Sequence, residues 1–176
     1  DYGNKCVRYE ALTTSDSYID YTLGSLSGKV VVEFRIMYEQ KGAGTFMLWF
    51  RNTSSVGTEL FHFDKNMTLC SSNGSEIASL TEGKFYHVVA LLDTGTGLMD
   101  IYINHKKRAA GIAAQRTDFN NLAMMRYHLY QIGEGTKPIL SIDDLKIYGS
   151  DLPIFKLDEA GVKYKTATTG TTLTSV

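Results

Sequence analysis

In residues 28–40, "GKVVVEFRIMYEQ", apolar side chains fall on alternate positions. Val30, Val32, Phe34, Ile36 and Tyr38 share one parity, and Val31, Glu33, Arg35 and Met37 share the other. A helix of about 3.6 residues per turn would scatter the first set around its axis, whereas a strand puts the whole set on one face. "GTFMLWFRN", residues 44–52, repeats the pattern: Phe46, Leu48 and Phe50 alternate with Thr45, Met47, Trp49 and Arg51. The intervening "EQKGAG" has turn chemistry, so the two runs are expected to pair as a long hairpin.

The same period predicts strands at residues 59–64, 67–71, 76–80, 85–93, 98–104, 124–132 and 140–148, punctuated by "KN", "SNG" and "TGTG". Residues 109–123 are less regular, and "DFNNLAMMRY" is the best helical candidate, though short. About ten short strands without a convincing amphipathic helix predict an all-β fold, a two-sheet antiparallel β-sandwich or jelly roll. Sixteen glycines and only two prolines suit that architecture.

With 176 residues the chain is long enough for one well-buried domain. Residues 1–150 are expected to form the sandwich. Residues 151–176 are Thr-rich with little apolar density to offset the entropy of ordering, and are expected to be a linker or the start of a following module. A net charge of −1 supplies no field for polyphosphates, which argues against nucleic acid. No apolar run approaches the roughly 20 residues of a membrane span. The opening "DYGNKC" has no signal-peptide pattern, so a larger parent polypeptide is expected. Cys6 and Cys70 either pair in an oxidising compartment or stand as separate thiols. Sequons at Asn52, Asn66 and Asn73 mark surface loops if the chain is a eukaryotic secretory product.

Residues 83–107, "GKFYHVVALLDTGTGLMDIYINHKK", and in particular "YHVVALLD" and "IYIN", resemble the central hairpin of concanavalin A-like jelly rolls of the laminin G-like type. "SIDDLKIYG", residues 141–149, is similar to the closing strand of those domains. His105 departs from the pattern, since the family has Gly after the Asn, so another turn type is expected there. The resemblance implies a carbohydrate-binding or adhesive module of a secreted, extracellular, multi-module protein, with a polysaccharide or oligosaccharide and neighbouring modules as partners. It also implies one structural Ca²⁺ between the N-terminal segment and the last strand, with Asp143 as the nominated ligand beside Asp1, Asn4 or Glu10; alternatively Asp143 accepts backbone hydrogen bonds.

If the apolar parity of the first two runs faces the core, Glu33, Arg35, Met37, Met47, Trp49 and Arg51 face outward. Trp49 between Arg35 and Arg51 is what a sugar platform needs, because a pyranose face stacks on an aromatic ring while its polar groups take charged hydrogen bonds. The alternative is that Trp49 packs beneath a loop or the second sheet, with the arginines solvated. In "RYHLYQIG", placing Ile132 in the core leaves Tyr127 and Gln131 available to a ligand, or simply exposed.

A small polysaccharide lyase would need His and Tyr as base and acid with Arg and Gln on the uronate, but the lyase signatures are missing. No strand alternates carboxylates on one face as a glycosidase requires. His62, His87, His105 and His128 lack zinc-ligand spacing, and "GAG" and "GEG" do not precede helices. A non-catalytic glycan-binding module is therefore the leading expectation, with a structural or adhesive spacer as the alternative.

Overall fold

The computed structural model of the chain describes residues 6–10, 16–130, 132–149, 156–158 and 161–163. Its strands are β1 (Val7–Glu10), β2 (Ser17–Ser27), β3 (Lys29–Gln40), β4 (Thr45–Arg51), β5 (Gly57–Phe63), β6 (Thr68–Ser71), β7 (Glu76–Ser79), β8 (Tyr86–Asp93), β9 (Leu98–Ile103), β10 (Lys106–Ala113), β11 (Asn121–Tyr130), β12 (Ile139–Gly149), β13 (Lys156–Asp158) and β14 (Gly161–Lys163). There is no helix among the described residues. Sheet one runs β1-β12-β3-β8-β9-β10 and sheet two β2-β11-β4-β5-β6-β7, with β13 and β14 as a separate pair. The rest of residues 151–176 lies outside the described residues.

The apolar parity of β3 and of β4 faces one core, while Val31 and Glu33 of β3 are also buried on its other face. Phe34 and Ile36 of β3, and Phe46, Leu48 and Phe50 of β4, are fully buried and meet in one core with Phe61, Val88, Ile101 and Leu129. The sheets interlock through aromatic contacts: Phe34 of sheet one stacks on Phe61 of sheet two at 6.3 Å, and Tyr38 meets Phe63 edge-on at 6.2 Å. A sandwich joined by large buried rings follows directly from the period-two pattern.

The hairpin of β8 and β9 forms as expected, from Val88 opposite Ile103 to Asp93 opposite Leu98. The expected hairpin of the first two runs does not. β3 lies between β12 and β8 in sheet one, and β4 between β11 and β5 in sheet two, so residues 41–44 carry the chain from one sheet to the other. Alternation specifies which face of a strand is buried but not its lateral neighbour, and either connection satisfies it.

Sequence reasoning also missed β1, β2 and β10. β2 had a usable signal, since Ile19, Tyr21 and Leu23 alternate with the exposed Tyr18, Asp20 and Thr22. The helical candidate enters β11 at Asn121. Both cysteines are free: Cys6 is exposed beside β1 and Cys70 is buried in β6 of the opposite sheet. Asn52 is occupied structurally, its Nδ2 donating to the Phe119 carbonyl at 3.0 Å and its Oδ1 accepting the Val56 N–H at 2.8 Å.

At the β9–β10 turn, Asn104 (φ 49°) and His105 (φ 66°) both occupy the left-handed region, as in a type I′ hairpin. The turn that favours Gly is thus kept with His in its second place. His105→Gly is expected to raise stability by about 1 kcal/mol. Urea denaturation checks this, and an unchanged or lower midpoint contradicts it.

Candidate functional site

The outer face of sheet two brings aromatic and cationic side chains together opposite the core. In β4, burial of Phe46, Leu48 and Phe50 turns Met47, Trp49 and Arg51 outward, where all three are half-buried. The ladders set their neighbours. Trp49 stands opposite Arg126 of β11 and Glu59 of β5, and Arg126 stands opposite Asp20 of β2. One row over, Met47 lies between His128 and His62, with Tyr18 and Cys70 beyond them. On the other side Arg51 lies between Met124 and Gly57.

Gly57 explains how the indole lies. A Cβ built at that position would stand 1.9 Å from Trp49 Cζ2, so the six-membered ring rests on the β5 backbone where a side chain would otherwise be. The Arg51 guanidinium carbon is 4.9 Å from the Trp49 ring centroid, and that of Arg126 is 5.6 Å away. Both distances allow cation–π attraction.

The two arginines differ in what else they do. Arg126 stacks on Tyr18 at 3.7 Å and binds Asp20 with both arms of its fork, Nε to Oδ1 at 2.6 Å and Nη2 to Oδ2 at 2.7 Å. That hydrogen bond is the main cause holding the Asp20 carboxyl below its ordinary pKa and the Arg126 guanidinium above its own. Among the described residues Arg51 has no carboxylate partner, and its buried Nε has no hydrogen-bond acceptor. A planar cation with unmet donors, held over an indole, is suited to receive an anion.

Two histidines border the platform. His62 Nδ1 lies 2.6 Å from Glu59 Oε1. His128 Nε2 lies 3.6 Å from Asp16, and its pKa is lowered chiefly by burial, so its neutral form is favoured.

Of the residues singled out from sequence, Trp49 and Arg51 come together here. Arg35 does not join them: it is exposed on β3 in sheet one, 3.4 Å from Asp144. Tyr127 is 1% exposed and faces the core, packed on Phe46 at 5.5 Å and Tyr21 at 5.9 Å. Parity taken from Ile132 does not carry into "RYHLY", because β11 ends at Tyr130 and Leu129 and Ile132 are both buried across the break. Gln131 lies outside the described residues. The side chains that sequence reasoning overlooked are Arg126, Tyr18 and Asp20; parity counted from Met125 turns Arg126 outward, and the β11–β4 pairing then sets it opposite Trp49.

Of the residues nominated for calcium, Asp143 and Glu10 are among the described residues. Asp143 Oδ1 accepts the Asp144 N–H at 2.8 Å, Asp144 faces Arg35, and Glu10 pairs with Arg8 at 2.6 Å. Asp1 and Asn4 lie outside the described residues. Among the described residues, no three His, Cys, Asp or Glu side chains gather as metal ligands.

Known proteins share this architecture. The chain superposes on a sialidase with a TM-score of 0.63 at 12% identity, over 83% of this chain and 15% of the other. It superposes on Trypanosoma rangeli sialidase with a TM-score of 0.51 at 18% identity, over 69% and 20%. A mutant of the T. rangeli enzyme displaying trans-sialidase activity gives a TM-score of 0.51 at 16% identity, also over 69% and 20%. At these identities the likeness establishes the fold, and the chain spans between 15% and 20% of the length of those enzymes. No curated protein sequence matches the chain. The resemblance seen in the β8–β9 hairpin is carried as far as a carbohydrate-binding β-sandwich. Residues 8–131, well over half of the chain, match the family described as Sialidase-like, CBM domain, and the protein belongs to that family of carbohydrate-binding modules.

Proposed function

We propose that this carbohydrate-binding module is non-catalytic and holds an acidic sugar of the sialic acid kind on the outer face of sheet two, as part of a larger secreted protein. The observation that carries the proposal is Arg51, a guanidinium without a carboxylate partner among the described residues, seated 4.9 Å over the Trp49 ring. Arg126 is already neutralised by Asp20, so its role is to buttress the indole and Tyr18. A sugar carboxylate would pair with the Nη groups of Arg51, while the indole and the half-exposed Tyr18 offer stacking surface to the ring. Support also comes from the family and from the T. rangeli sialidase that was solved in complex with sialic acid. Affinity is modest, because an open sheet face buries little of a ligand.

Calorimetric titration tests the proposal with the methyl glycosides of N-acetylneuraminic acid and of galactose. The acidic glycoside is expected to bind and the neutral one to bind far more weakly. Arg51→Gln is expected to weaken the acidic sugar at least about tenfold, the equivalent of losing one charge-assisted hydrogen bond. Equal binding by the variant would remove Arg51 from the site. No binding to either sugar would favour a structural or adhesive spacer.

A further inference from the structure

We infer that the acidic sugar is the end unit of an oligosaccharide whose adjoining neutral hexose units enter a cleft at the rim of the sandwich. The inference rests on the glycan site proposed above and extends it sideways.

The geometry begins with β5, which outruns β6. Only Phe61, His62 and Phe63 of β5 pair with β6. Beside Thr58 and Glu59 the place of a strand is taken by the loop after β10. The Gln115 N–H donates to the Glu59 carbonyl at 2.9 Å, the Arg116 N–H to Thr58 Oγ1 at 3.0 Å, and Thr58 Oγ1 to the Arg116 carbonyl at 3.3 Å. Gln115 therefore extends the row Asp20, Arg126, Trp49, Glu59. Two strand spacings separate it from Trp49, about 10 Å. A sugar chain anchored on the indole crosses that distance with its second or third unit.

There a cleft of about 390 Å³ opens between the β6–β7 turn and the end of β10, lined by Ser71, Ser72, Asn73, Ser75, Ala113 and Gln115 among others. Its volume is in the range of small-ligand sites, about 300–1,000 Å³. The two walls belong to different sheets and are joined by a hydrogen bond from Ser72 Oγ to the Ala113 carbonyl, 3.1 Å.

The chemistry of the lining selects the ligand class. Among the described residues no charged side chain lines the cleft; hydroxyls and amides surround the apolar methyls of Ile112, Ala113 and Ala114. Asn73 Oδ1 accepts from Ser71 Oγ at 2.5 Å and from the Ser75 N–H at 3.1 Å, which fixes the amide and leaves Nδ2 without a partner among the described residues. The exposed Gln115 side chain makes no hydrogen bond to them either. Uncharged donors and acceptors over an apolar floor match the hydroxyls and C–H face of a neutral hexose, whereas a second acidic unit would find no cation.

The test compares the methyl sialoside, sialyllactose and lactose by calorimetry, with Gln115→Ala alongside the unaltered chain. Sialyllactose is expected to bind about tenfold more tightly than the sialoside, and Gln115→Ala to bring it down to the level that the unaltered chain shows for the sialoside. Backbone amide resonances of Ala113 and Gln115 are expected to shift with sialyllactose and not with the sialoside. Equal affinities for the two acidic ligands, or an advantage untouched by Gln115→Ala, overturn this inference while leaving the Arg51 site standing. Failure of both acidic ligands to bind overturns the Arg51 site and this extension together.

Discussion

Gly57→Ala is expected to disable the proposed sugar-binding face of sheet two while leaving the sandwich folded. The added methyl carbon would lie 1.9 Å from Trp49 Cζ2, 2.4 Å from Cη2 and 2.7 Å from Cε2, well inside contact distance for three ring atoms at once. Two responses are open. β5 can draw away from β4, which breaks the ladder at Arg51 and Gly57, or the indole can swing off its seat. The second is cheaper, because the ring is the outer end of a side chain while the ladder is backbone. An overpacked site of this kind costs about 1–3 kcal/mol. The displaced indole also leaves Arg51, so affinity for an acidic sugar falls at least about tenfold. Trp49 is the only tryptophan, which makes its fluorescence a direct reporter. Emission should move to the red in the variant as the ring gains solvent. Unchanged emission with unchanged sugar affinity would show that the indole does not rest on Gly57.

Tyr127→Phe is expected to stabilise the protein. The phenol is sealed in the core beside Phe46 and Phe34, and its hydroxyl has no hydrogen-bond partner among the described residues. Burial pushes its pKa up, since nothing nearby compensates an ionised oxygen. Removing the hydroxyl keeps the ring contacts and abolishes an unmet polar group, worth about 1–2 kcal/mol. For a chain of this size that corresponds to a rise in Tm of about 2–8 °C. Sugar affinity should stay as it was, because Tyr127 faces away from the platform. A fall in Tm would mean that the hydroxyl finds a partner in solution, and a loss of sugar binding would return Tyr127 to the ligand site.

The parts of the site legible in the sequence are those that depend on one strand alone. Trp49 and Arg51 are two apart in β4, so their shared outward face follows from the burial of Phe46, Leu48 and Phe50 between and beside them. Arg35 required a statement about which strands are neighbours, and a short turn-like linker suggested a hairpin where the chain crosses to the other sheet. Arg126 was hidden for a related reason: parity holds only within a strand, and it was counted from beyond the end of β11. Gly57 carries no local sign of its role, because close approach of an indole to a backbone arises only once β4 and β5 are paired. His105 shows the converse, a residue that the hairpin geometry tolerates although the turn favours Gly.

The indole N–H of Trp49 gives one resolvable signal in a ¹⁵N–¹H correlation spectrum, because the chain has a single tryptophan. Titration with the methyl sialoside should shift that signal progressively, together with the backbone amides of Arg51, Arg126 and Tyr18. A silent indole, with shifts gathered instead around Arg35 and Val89 on the outer face of sheet one, would place the ligand on the opposite side of the sandwich and contradict the Trp49–Arg51 site.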